Sequence, residues 1–143
     1  MQDRGIEKDN AMSRREIREQ IFKILFRIEF NQIEDMPEQL RLFFEQEEAM
    51  EEKDQKEIRE KYEKIADKLE TIDGMLTEKA DKWSVNRMGK VELTLLRIAV
   101  YEMEFDDNVP VSVAINEAVE LAKKFGQDES PAFINGVLAK FTK

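Results

Sequence analysis

Histidine and cysteine are both absent from this 143-residue chain. Without histidine the commonest general base and the commonest metal ligand are gone. Without cysteine there is no disulfide framework, no zinc–thiolate site and no thiol nucleophile. Gly-rich phosphate loops are missing as well, since neither G-x-x-x-x-G-K nor G-x-G-x-x-G occurs. Carboxylate or lysine chemistry alone would be left to an enzyme, so a non-catalytic protein with no metal and no cofactor is expected. No apolar run approaches the roughly 18 residues of a membrane span. The N-terminus lacks the basic start and apolar stretch of a secretory signal. A cytoplasmic protein of bacterial type is the simplest fit. Glycine (5) and proline (3) are scarce, and no segment shows the strict alternation of a half-buried strand.

What is present is charge and apolar bulk, at 38% and 41% of residues. That balance favours long solvated helices, and one domain of about 150 residues buries roughly 68–70% of its unfolded surface. The net charge of −9 argues against bulk attraction to nucleic acid, but it is unevenly spread. Residues 31–80 hold 16 acids and 8 bases, whereas residues 13–30 hold 5 bases and 3 acids.

Residues 1–12 show no periodicity and read as a flexible tail ahead of a helical domain over residues 13–143. Ser13 and Glu16 have capping-box spacing and start a helix to about Asn31, with Ile17, Ile21, Ile24, Leu25 and Ile28 on one face. Pro37 opens a second helix. After the polar stretch EQEEAMEEKDQKE, which should fray or turn, Ile58, Tyr62, Ile65, Leu69, Ile72 and Leu76 predict a third helix. Glu57–Lys61 and Glu60–Lys64 are spaced to support its wet face, and GMLTEKADKW joins it to the second half. Residues 88–105 are apolar nearly all round, predicting a buried central helix. An amphipathic helix follows over residues 111–125 and includes Val111 on its apolar face; Gly126 is expected as a left-handed cap. Ser130 and Pro131 would supply the N-cap and first turn of the last helix. The expected class is all-α, a single compact bundle of about six to seven helices.

Arg14, Arg15 and Arg18 stand out because cations at an exposed helix N-terminus cost about 0.3–1 kcal/mol each. On the same helix, Arg15, Phe22 and Phe26 form a stripe away from the core face, and Arg18 lies between the two. Such a stripe combines phosphate-binding charge with rings on which unpaired bases stack. The plainer alternative is a wide core helix with buried rings and solvated arginines. The acidic run Glu45, Glu47, Glu48, Glu51 and Glu52 lacks calcium-loop spacing and reads as a solvated face. Glu92 and Arg97 interrupt the buried helix and are expected to satisfy partner groups there, not to catalyse.

Three strings carry a resemblance. VAINEAVELAKKFGQDESPAFINGVL (residues 113–138), LLRIAVYEM (residues 95–103) and the arginine-rich start at Arg14–Glu19 resemble, in the same order, the NusB family of bacterial transcription antitermination factors. The likeness covers roughly residues 13–142. It implies an all-helical fold with two helical subdomains and no enzymatic activity. It implies pairing with NusE, a ribosomal protein, and binding of single-stranded boxA RNA in nascent ribosomal RNA transcripts. The pair would join the transcription elongation complex, with RNA polymerase and other Nus factors. The RNA-contacting positions implied are Arg14, Arg15, Arg18, Phe26, Glu92, Glu129 and Phe133. A homodimer that masks the RNA face is a further state found in the family.

The residues themselves fit this in part. Arginine grips phosphate through a planar fork, and Phe133 lies early in a helix whose N-terminus attracts phosphate, although a simple core role for Phe133 stays open. Gly136, inside that helix at a cost of about 1 kcal/mol relative to alanine, points to close packing or close approach. Two departures lower the charge expected at the RNA site: Glu16 interrupts the basic run, and Ala132 stands where relatives often carry lysine. Two alternatives follow. One is a protein-only helical adaptor with little RNA affinity. The other is the helical domain of a ribosomal RNA methyltransferase, which the absence of a following cofactor-binding domain disfavours.

Overall fold

The computed structural model describes residues 11–47, 49–80 and 84–142. Among them there is no strand, as expected, and there are seven α-helices with short 3-10 turns between them. The chain divides into two compact units, Met1–Lys64 and Ile65–Lys143. Most of the tail expected over residues 1–12 lies outside the described residues; Met12, at its end, donates its N–H to Asp54 Oδ2 at 3.1 Å.

The first unit begins with α1 (Arg14–Phe26). Its capping box is complete: Glu16 N–H donates to Ser13 Oγ at 3.1 Å and Ser13 N–H to Glu16 Oε1 at 2.8 Å. Two backbone donors that a helix start leaves unpaired are thereby satisfied. Ile17, Ile21, Ile24 and Leu25 are buried as their spacing demands. After Phe26 the helix tightens into a 3-10 turn, Arg27–Phe30, so the α-helix ends earlier than the periodicity suggests. Helix α2 (Met36–Gln46) carries Pro37 in its first turn and buries Met36, Leu40, Phe43 and Phe44. Helix α3 (Glu52–Asp67) buries Ile58 and Tyr62. Of the polar stretch expected to fray or turn, residues 45–46 close α2 and residues 52–57 open α3; Met50, between them, is buried, and Asp54, inside the helix, is buried around its bond to Met12.

The single third helix expected from the apolar spacing is two helices. The backbone leaves helical geometry at Lys68 (φ −108°, ψ 10°), and α4 runs from Leu69 to Lys79. Much of the expected linker is therefore helical, and its last residues, 81–83, lie outside the described ones. Helix α5 (Lys90–Phe105) is the centre of the second unit, with every residue from Leu93 to Glu102 buried. It contacts α4, α6 (Val111–Phe125) and α7 (Ser130–Ala139). Arg97, buried on α5, grips Asp73 of α4 at two points, Nε–Oδ1 2.9 Å and Nη2–Oδ2 2.8 Å. Arg97 thus has the partner group expected of it.

Three local expectations need correction. Val111, at the first turn of α6, is exposed, not on the buried face. Gly126 is extended (φ −100°, ψ −162°), not left-handed. Glycine is needed there for room, because a Cβ would sit 2.6 Å from Ser130 Oγ and 2.9 Å from the Ala122 carbonyl oxygen. Ser130 is the first helical residue of α7, with Glu129 in the cap position. Its hydroxyl turns inward, accepting from Gln127 N–H at 2.9 Å and donating to Glu92.

Candidate nucleic-acid interface

The candidate residues fall into two groups, one in each unit. In the first unit Arg14, Arg15 and Arg18 occupy the opening turns of α1, and the structure gives each a different environment. Arg14 forms a fork on Glu57 of α3: Nη2 donates to Oε1 at 2.9 Å and Nη1 to Oε2. The shared hydrogen bond holds the Glu57 carboxyl below its ordinary range and raises the Arg14 guanidinium. Arg15 is exposed. Arg18 is buried, with 8% of its surface accessible, so its position is coupled to the fold of the unit.

The aromatic stripe is also not uniform. Phe22 is buried, which fits the wide-core-helix alternative for this ring and not a solvent-facing stripe. Phe26 is half-buried in a ladder, stacked on Phe22 with centroids 5.6 Å apart and edge-on to Phe30 at 5.1 Å. Phe30, 60% exposed, ends the ladder and lies close in sequence to exposed Ile33. Sequence reasoning passed over both. They fall where α1 gives way to 3-10 turns, and helical periodicity loses its meaning there.

In the second unit the structure brings Glu92, Glu129 and Phe133 together. They line one cavity of about 350 Å³ with Met88, Gly89 and Ser130. Arg87 and Gln127 line it too, and neither was marked by sequence pattern. Glu92 stands at the third position of α5, where a carboxylate is favoured by the helix dipole. It accepts the Ser130 hydroxyl proton, which aims the carboxylate from below. A Cβ on Gly89 would run into Glu92 Oε1, so the glycine leaves the carboxylate room to fold back over the helix start. The cavity thus offers a cation in Arg87, a half-buried ring in Phe133 and two carboxylates. Carboxylates repel phosphate but accept from base amino groups, and aromatic rings stack on unpaired bases. Its chemistry suits a base edge more than a backbone phosphate. Gly136 is exposed, and a Cβ there would meet nothing within 4 Å beyond its chain neighbours and the backbone of its own helix. Packing inside the chain does not require that glycine.

A family model described as the NusB family matches residues 15–143. The chain belongs to the NusB family. It is 48% identical over 129 residues to the transcription antitermination protein NusB of Lachnoclostridium phytofermentans, covering 90% of this chain and 98% of that protein. Among solved structures, T. maritima NusB superposes with a TM-score of 0.80 at 34% identity, covering 91% of this chain and 90% of that one. The solution structure of NusB from Aquifex aeolicus gives 0.78 at 24% identity, covering 90% and 86%, a likeness of fold. The helical NusB fold expected from the three sequence strings is the one observed. No helix among the described residues is long and apolar enough to cross a membrane, and no group of potential metal-ligating side chains occurs among them.

Proposed function

We propose that this NusB-family chain is a non-enzymatic, cytoplasmic transcription antitermination factor. With the ribosomal protein NusE it binds single-stranded boxA RNA of nascent ribosomal RNA transcripts and joins the RNA polymerase elongation complex with other Nus factors. The observation that carries this reading is the 48% identity spanning nearly the whole of a transcription antitermination protein. Arg14, Arg15, Arg18 and Phe26 act on the RNA from the first unit, and Glu92, Glu129 and Phe133 from the second. The exposed Phe30 and Ile33, near Glu29, Glu34 and Asp35 in sequence, supply an apolar and acidic surface suited to a basic protein partner.

Fluorescence anisotropy of a labelled boxA-like RNA, titrated with the chain alone and with equimolar NusE at several salt concentrations, tests the proposal. Tighter binding with NusE is expected, with a salt slope that flattens by about 0.7 for each arginine–phosphate contact removed by substitution. An RNA response indifferent to NusE and to Arg15→Ala would replace it with the protein-only adaptor. That second reading draws on a specific observation: Arg14 is already neutralised by Glu57 and Arg18 is buried.

A further inference from the structure

Positive charge converges on Glu57 from two helices. Arg14, in the first turn of α1, bonds both carboxylate oxygens, and Lys53 and Lys61, one turn before and after on α3, add their fields to the same group. A guanidinium fork flanked by ammonium groups is the donor set that recognises a phosphodiester, whose two free oxygens match the carboxylate's pair. The side chains of Arg14 and Glu57 remain 66% and 37% exposed, so an anion from solution reaches the fork. An exposed pair of this kind adds little to stability, and exchanging one anion for another there costs the fold almost nothing.

We propose that Arg14, Lys53 and Lys61 form a seat for one phosphate of the RNA strand, and that Glu57 occupies this seat until the RNA displaces it. This rests on the RNA-binding reading above and extends it. The RNA path continues from the arginine-rich start of α1 onto α3, where the family resemblance marks no residue. Because Glu57 is tethered beside the fork, it competes at high effective concentration. A stray anion fails to displace it, whereas a strand already held at the other contacts succeeds. Arg14 then exchanges one anion for another and contributes less to affinity than an uncommitted arginine would.

The test uses the full chain with equimolar NusE and a short labelled boxA-like RNA, read by anisotropy across a salt series. Glu57→Gln is expected to tighten binding about three- to fivefold and to steepen the salt slope by about 0.7. Glu63→Gln, at an exposed acid of the same helix, changes net charge equally and is expected to give a smaller shift at unchanged slope. Lys53→Ala is expected to weaken binding, and Arg14→Ala to abolish the advantage of Glu57→Gln. Equal effects of the two glutamine substitutions would overturn the seat, leaving bulk charge as the cause. If RNA binds and responds to Arg15→Ala but not to Glu57→Gln, the seat alone fails. If neither wild type nor Glu57→Gln binds RNA, the RNA-binding function falls with it.

Discussion

The first unit carries seven of the chain's nine arginines. Two of its arginines pair at the surface, Arg14 on Glu57 and Arg41 between Glu38 and Glu45, as Lys123 and Glu120 do in the second unit. In the second unit the Arg97 guanidinium is almost fully enclosed against Asp73, and the Glu92–Ser130 bond lies beneath a cavity. Surface forks are screened by salt and exchange partners cheaply. Enclosed pairs are fixed, because separating them strands a charge away from water. The first unit's surface forks can therefore exchange partners, whereas the second unit's enclosed Arg97–Asp73 pair is held in one geometry.

Three substitutions break or sharpen that contrast. The largest effect is expected from Asp73→Ala, which leaves Arg97 without its carboxylate. Urea unfolding should show a loss of about 3 kcal/mol, and a loss below about 1 kcal/mol would mean that Arg97 is adequately satisfied elsewhere. Gly126→Ala comes next. Its methyl group must displace Ser130, which costs about 1–3 kcal/mol. Because Ser130 also aims Glu92, RNA affinity should fall along with the urea midpoint; an unchanged affinity would separate the cavity from RNA binding. The smallest effect belongs to the Arg14–Glu57 fork. Glu57 has a depressed pKa in the folded state, so its contribution is complete above the unfolded value of about 4.3. It disappears as pH falls through the lower folded value. Wild type should exceed Glu57→Gln by no more than about 0.5 kcal/mol at pH 7 after solvent screening, and the two urea midpoints should meet in strong acid. A gap that persists there would assign the difference to something other than the fork.

Sequence patterning was enough for the helices because each reports its own buried face: Ile17, Ile21 and Leu25, or the unbroken apolar stretch of α5. It could not show the interruption at Lys68. The apolar spacing from Ile58 to Leu76 continues across that residue, and periodicity does not register a single residue that leaves helical geometry. Nor did it show the Arg14–Glu57 fork, because partners 43 positions apart leave no local trace. Spacing could suggest only short-range pairings within one helix, such as Glu57–Lys61. Ser130 and Gly126 were each assigned the role their residue type usually plays at a helix end. A tertiary contact with Glu92 gave Ser130 a different role, and Ser130 in turn left room only for glycine. In the candidate interface, resemblance supplied Glu92, Glu129 and Phe133. Arg87 and Gln127 became visible only when their segments were seen to line the same cavity.

The chain's two tyrosines fall one to each unit, Tyr62 and Tyr101, and both are buried. Burial pushes both phenols above their ordinary pKa, helped at Tyr101 by Asp106 and Glu102 and at Tyr62 by Glu63. Each ring therefore resists ionisation until its surroundings open, and the stability it lends is present below the unfolded value of about 10 and lost as pH rises. Phenolate absorbance above the unfolded value of about 10, with Tyr62→Phe and Tyr101→Phe used in turn to leave one chromophore, becomes an optical clock for the opening of each half of the protein without any added label.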